Sequence, residues 1–198
     1  MTNTNNTIQF YNENADEFYS STIEVDMAPI YEKFTAMLDP GAFVLDAGCG
    51  SGRDTLYFIE NGYSCEAFDA SSDLVNLAKK LTNADVKCST FDKINYEDAF
   101  DAIWACASLL HVPSNELDSS LKNLSNLLKL NGVFYMSFKY GEFEGNRNGR
   151  YFTDMNEQKL SSYLESCKLK IVESWKTSDL REGRETEEWL NILATKQA

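Results

Sequence analysis

The residues best suited to chemistry stand together between Asp46 and Gly52: one acid, then glycines at 48, 50 and 52 around Cys49 and Ser51. Lacking a Cβ, glycines reach positive φ and let the backbone approach a ligand closely. The apolar run Phe43 to Leu45 ahead of them reads as a short buried strand, and Arg53 to Glu60 behind them as a helix whose N-terminal amides point back into the loop. Strand, glycine loop and helix in that order meet the needs of a nucleotide-like cofactor. Two later acids, Asp69 and Asp92, fall at or just past strand ends, and His111, the one histidine, is a potential proton acceptor.

These groups need a scaffold. Met27, Ile30, Tyr31, Phe34 and Leu38 recur at helical spacing until Asp39-Pro40-Gly41 stops the helix. Asn61-Gly62 caps the loop helix, Cys65 to Phe68 makes a second strand ending at Asp69, and Ser71 or Ser72 caps a helix lined by Leu74, Leu77, Ala78 and Leu81. Val86 to Cys88 and Ala99 to Ala105 are the third and fourth strands. Pro113-Ser114 opens a helix with Leu117, Leu121, Leu124 and Leu128 inward, closed by Asn131-Gly132 before strand Val133 to Phe138. A helix over Asn156 to Ser166 leads to strands Leu169 to Trp175 and Glu188 to Thr195. Only the turn Thr177 to Glu187 separates those two, so they must pair antiparallel. The expected fold is α/β: a Rossmann-like, doubly wound seven-stranded sheet, mainly parallel with an antiparallel C-terminal strand pair, and the ligand at the strands' carboxyl ends. Residues 1–198 read as one domain, with 1–40 an N-terminal helical lid segment, 41–198 the core, and the first seven residues frayed.

Composition narrows the function classes. A net charge of -13, from 31 acidic and 18 basic residues, opposes a nucleic-acid footprint. No apolar run reaches a membrane span, and the polar start Met-Thr-Asn-Thr-Asn-Asn is unlike a signal peptide, so a cytoplasmic location is expected. Five scattered cysteines read as reduced, buried thiols, and no spacing points to a metal site.

Counted from Gly48, the third position of the dinucleotide pattern Gly-x-Gly-x-x-Gly is Arg53, which weakens a nicotinamide reading. Asp46 to Gly52, Asp69, Asp92 and the terminal strand pair resemble the class I S-adenosylmethionine-dependent methyltransferases. The resemblance implies S-adenosylmethionine as cofactor and methyl transfer to a small molecule by direct displacement. Gly48, Cys49 and Gly50 would then wrap the methionine part, and Asp46 would orient the loop and accept from the ammonium. Asp69 would accept from the ribose hydroxyls, with Ala70 and Ser71 beside the adenine. Phe91 would pack on the adenine and Asp92 accept from its amine, while Ala105, Cys106 and Ser108 would wall the methionine chain. Gly50 to Tyr57 with Asn61-Gly62-Tyr63 is similar to the tellurite-resistance group, whereas Leu109 to Pro113 resembles enzymes acting on small organic nitrogen or oxygen acceptors.

Ordinary roles stand beside these. Asp69 also suits a helix N-cap, Asp92 a turn, and His111 a packing or capping residue instead of a base. Arg53 opposes the helix dipole, which points to a carboxylate partner or to plain surface exposure. Tyr11 and Tyr19 are either lid residues over the cofactor or anchors of the first helix. The glycine-rich segment Lys139 to Asp154 reads as a flexible loop in which Arg147 or Arg150 steers an anionic substrate or is merely solvated. An oxidoreductase using NAD and a noncatalytic S-adenosylmethionine-binding module remain alternative functions.

Overall fold

Side-chain alternation along β1 (Phe43–Ala47) divides the molecule. Leu45 and Ala47 join one core, while Val44 joins the other, with Phe34, Phe58, Trp104 and Tyr135. This computed structural model of the chain describes residues 3–97, 99–181 and 183–198. After β1 come α4 (Arg53–Glu60), β2 (Ser64–Asp69), α5 (Ser72–Thr82), β3 (Val86–Cys88), β4 (Phe100–Ala105), α6 (Ser114–Leu127) and β5 (Leu128–Lys139). A hairpin of β6 (Glu144–Arg147) and β7 (Arg150–Thr153), then α7 (Glu157–Ser166), β8 (Leu169–Ser178) and β9 (Glu188–Lys196) complete the chain. Before the sheet lie α1 (Asn3–Glu13), α2 (Ala15–Thr22) and α3 (Ala28–Thr35).

Among the described residues the main sheet has seven strands in the order β3-β2-β1-β4-β5-β9-β8. Pairing is parallel from β3 to β5 and antiparallel for β5–β9 and β8–β9, as expected from the short final turn. Strand order reverses between β1 and β4, and such a switch point opens a crevice at the strands' carboxyl ends. Ser71 caps α5 by accepting from the Leu74 amide at 3.2 Å, and Asn156 caps α7 by accepting from the Lys159 amide at 2.8 Å. No described helix is long and apolar enough to cross a membrane.

Several expectations fail locally. The chain is helical from Asn3, because α1 packs against β7 and α5. Helix α6 stops at Leu127, and Asn131-Gly132 lies inside β5, where Asn131 takes φ 63° and a register shift falls on the facing strand. The segment read as a flexible loop is the β6–β7 hairpin, whose two-residue turn has Asn148 and Gly149 at φ 48° and 84°. All five cysteines are free, yet Cys88 is exposed and only Cys167 is fully buried.

Candidate functional site

A cavity of about 250 Å³ opens at the β1/β4 switch point and extends under α1 and β7. One wall is the glycine loop. The amides of Gly48 and Cys49 both donate to the Phe68 carbonyl, at 2.9 and 3.0 Å, and the Gly50 amide donates to Asp69 Oδ2 at 2.9 Å. These donors therefore hold the loop to β2, and the loop offers a ligand its carbonyls and bare Cα surfaces. Gly48 has φ 81°, and a Cβ there would lie 2.4 Å from Ser108 Cβ and 3.2 Å from the Phe91 ring. Only glycine permits that approach. Ser108 fixes the opposite side by donating to the Ala47 carbonyl at 2.7 Å.

Asp69, at the end of β2, accepts one backbone bond on each oxygen, from Gly50 and from Ser71, both at 2.9 Å. Each oxygen keeps a lone pair, and burial raises its pKa despite those amides. Asp92 lines the cavity too, while its Oδ1 accepts from Thr90 Oγ1 at 2.5 Å and closes the turn. Phe91 packs edge-on against Phe68 at 5.4 Å. Cys49, Gly50, Arg53, Ala70, Ser71 and Cys106 also line the cavity. Burial pushes the Cys106 thiol up to about 12, which makes it a neutral wall.

Three predicted contacts lie off the cavity wall. Asp46 shares the Val44 face of β1, so it meets α4, where Oδ2 accepts from Thr55 Oγ1 at 2.6 Å in a fully buried setting. Burial raises its pKa well above the carboxylate range. Ala105 belongs to the core at the end of β4, and Tyr19 lies half-buried on α2. Arg53 has its carboxylate: Nε donates to Asp54 Oδ1 at 2.6 Å, and a guanidinium N–H donates to the Thr22 carbonyl at 3.3 Å. Asp54, buried, also accepts from Tyr31 at 2.5 Å and Trp104 at 2.8 Å.

The facing wall joins the N-terminal helix to the hairpin. His111 Nδ1 lies 2.6 Å from the Tyr151 carbonyl, which only accepts, so Nδ1 carries the proton in the neutral ring. Nε2 is then the acceptor for the Tyr11 hydroxyl at 2.8 Å. Arg150 in turn donates to the Tyr11 oxygen at 3.3 Å. Burial lowers the His111 pKa to about 4 and raises that of Tyr11, whose shift Arg150 opposes. The cavity thus holds a neutral imidazole joined to a phenol, a pair able to take a proton.

Residues 44–132 match the family described as a methyltransferase domain. Over that stretch the chain is similar to methyltransferase domains. An uncharacterized methyltransferase of Staphylococcus carnosus is 26% identical over 135 residues, 63% of this chain and 65% of that protein. Glycine N-methyltransferase of Rattus norvegicus is 28% identical over 116 residues, 48% of this chain and 40% of its own length. The chain thus spans between two fifths and two thirds of these curated relatives. Among solved structures, the fold is similar to the 1,6-didemethyltoxoflavin-N1-methyltransferase of Burkholderia thailandensis, at TM-score 0.78 and 23% identity, covering 98% of this chain and 87% of that one. A TehB-like methyltransferase from Corynebacterium glutamicum superposes with TM-score 0.74 at 19% identity, covering 96% and 100%.

The cavity also has wall residues that the sequence did not mark. Phe18 of α2 covers the glycine loop, 3.0 Å from where a Cβ on Gly50 would stand. At the far end of the cavity, Asp179 accepts from Lys139 at 3.0 Å, from Arg181 at 2.6 and 2.9 Å and from Trp189 at 3.1 Å. Although burial pushes its carboxyl upward, the Arg181 and Lys139 bonds hold it far below the usual range. Lys139 also contacts Glu187, which Arg184 grips at 2.6 and 3.0 Å. No local pattern in Thr177 to Glu187 marks this cluster, since β8 and β9 must pair before its charges meet.

Proposed function

We propose that this protein methylates a small anionic acceptor with S-adenosylmethionine, and that Tyr11 and His111 together receive the acceptor's proton. The observation that carries the reading is the shared cavity. Its one wall holds the glycine loop, Asp69, Phe91 and Asp92, and its other wall holds the Tyr11–His111 pair.

The residues suit such a cofactor. Loop carbonyls fit an ammonium group, the lone pairs of Asp69 fit two vicinal hydroxyls, and Phe91 gives an aromatic face for a purine. The close approach of Gly48 to Ser108 leaves a narrow cradle that any side chain would fill. S-adenosylmethionine supplies a methyl group on a sulfonium, which departs as a neutral thioether when an acceptor lone pair attacks. What remains for the chain is alignment, exclusion of water and acceptance of a proton. Helix α1 covers the cavity through Tyr11, and Phe18 of α2 lies over the loop. An acceptor O–H or N–H gives its proton to the Tyr11 oxygen as the phenol proton passes to His111 Nε2. The Tyr151 carbonyl keeps the imidazole in the tautomer this requires.

Apolar walls at Leu110, Val112 and Phe152 favour an organic acceptor over a bare inorganic oxyanion. Calorimetric titration with S-adenosylmethionine and with NAD tests the cofactor. Binding of the first and silence from the second is expected; the reverse would overturn the reading in favour of an oxidoreductase.

A further inference from the structure

Four of the five lysine and arginine side chains on the cavity wall, among the described residues, are paired with carboxylates. Arg53 is held by Asp54, Arg181 by Asp179, Arg184 by Glu187, and Lys139 by both Asp179 and Glu187. Arg150 differs: no carboxylate of the described residues lies within ion-pair distance of it. Its one hydrogen bond to a described residue goes to the neutral Tyr11 hydroxyl, through Nη1. Nε is buried and has no partner among the described residues. The aromatic rings of Phe10, Tyr11 and Phe152 surround the guanidinium, with centroids 4.9, 5.7 and 5.3 Å from Cζ. The neighbouring arginine of the hairpin is unlike it, since Arg147 grips the buried Asp154 with two bonds, at 3.0 and 2.5 Å.

A half-buried cation without a counter-charge, with an orphaned N–H, is costly to hold in an apolar cavity. It persists where a ligand completes it. In a chain of net charge -13, such a site is not a by-product of an excess of basic residues. With Nη1 on Tyr11 and Nε sealed by its neighbours, Nη2 is the guanidinium nitrogen left without a protein acceptor among the described residues. An N–H so placed donates a charge-assisted bond to a carboxylate or phosphate.

We infer that Arg150 is the specificity-determining residue of this site, and that the acceptor is a small organic acid whose oxyanion pairs with Arg150 while its apolar body lies against Leu110, Val112 and Phe152. The inference rests on the methyl-transfer reading above and narrows its substrate class. Tyr11 touches both Arg150 and His111, at 3.3 and 2.8 Å, so the atom that loses its proton stands within a few bonds of the acid group. An anion beside Arg150 also opposes the charge that disfavours a protonated His111, which ties recognition to proton acceptance.

The test is calorimetric and uses simple aromatic probes in place of the acceptor itself. The protein, first titrated with S-adenosylhomocysteine, is then titrated with benzoate, phenyl phosphate and the neutral benzamide, alongside Arg150→Gln, Arg150→Lys and Arg147→Gln. Benzoate or phenyl phosphate is expected to bind at least about tenfold more tightly than benzamide, as one charge-assisted hydrogen bond provides. Whichever anion leads shows whether the site suits a carboxylate or a phosphate. The preference should vanish in Arg150→Gln, survive in part in Arg150→Lys and remain intact in Arg147→Gln, with S-adenosylhomocysteine affinity showing that each variant is folded. Equal binding of benzamide, no heat from either anion at millimolar concentration, or an unchanged preference in Arg150→Gln would overturn the inference. The first titration separates the two readings. Cofactor binding without anion preference refutes the role of Arg150 alone, whereas anion preference without cofactor binding refutes methyl transfer.

Discussion

The hydroxyl of Tyr11 lies 2.8 Å from Nε2 of His111, joining residues 100 positions apart across the cavity. The contact ties helix α1 to the segment that follows β4. Tyr11→Phe keeps the ring packing on Phe10 and Phe18 but removes the hydroxyl. Its kcat is expected to fall about 10²-fold, and His111→Ala to match it, as for a general base. The double variant should be no slower than either single one, which steady-state kinetics will show. Additive losses would mean that the two residues do not act as a unit.

Acidity is the second lever. Burial holds His111 near pKa 4, so the unliganded protein keeps a neutral imidazole until the pH falls that far. The acid limb of kcat/KM is therefore expected near 4, well below the roughly 6.5 of an ordinary histidine. Stability follows the same group. The unfolded chain takes up the proton as pH drops through about 6.5 and the folded chain only near 4, so stability falls over that window by up to about 3 kcal/mol. Urea unfolding of the wild type and His111→Gln at pH 7 and pH 4.5 isolates this share. Identical pH responses would contradict it.

Gly48→Ala forces a Cβ to 2.4 Å from Ser108 at φ 81°. Ser108 is itself bonded to the Ala47 carbonyl, so it cannot yield without opening the loop. A loss of about 2 kcal/mol or more in folding stability is expected, together with at least about tenfold weaker S-adenosylhomocysteine binding. Differential scanning calorimetry and ligand titration measure the two effects. Wild-type values for both would show that the loop has room for a side chain.

Asp69→Asn preserves shape while replacing one acceptor oxygen by a donor. Gly50 and Ser71 each lose a charged acceptor, and the remaining lone pairs no longer suit two hydroxyls. Cofactor affinity is expected to drop about 10- to 100-fold with kcat at saturation nearly unchanged. An unaltered affinity would assign Asp69 to loop structure alone.

Asp54→Ala probes the support beneath the site. The substitution strands the Arg53 guanidinium and leaves the Tyr31 hydroxyl and the Trp104 N–H without their acceptor. Removing one side of a buried pair costs about 3–5 kcal/mol. Chemical denaturation yields the figure, and a loss below about 1 kcal/mol would contradict the assignment.

Much of this architecture is local in origin and hence visible in the chain. Periodic apolar positions, the Ser71 and Asn156 caps and the glycine alternation each act within a few residues, and the short turn before β9 dictates antiparallel pairing by itself. The hairpin is also locally encoded: Asn148-Gly149 is a favoured two-residue turn, masked by the polar and charged residues of β6. Other features depend on contacts between distant segments. The pairing of Tyr11 with His111, the isolation of Arg150 and the Lys139–Asp179–Arg181 cluster arise only when α1, β7 and β9 converge. Asp46 illustrates the converse, since strand alternation already turns it toward α4 and away from the cavity.

The most direct measurement is quantitation of S-adenosylhomocysteine and methylated product by mass spectrometry, with S-adenosylmethionine and a panel of small hydroxy and amino acids beside their neutral amides. The expected result is equimolar S-adenosylhomocysteine and methylated acid, formed about 10²-fold more slowly in His111→Ala, with the amides inert. Tight S-adenosylmethionine binding with no acceptor methylated, or methylation that survives undiminished in both Tyr11→Phe and His111→Ala, would contradict the proposed chemistry.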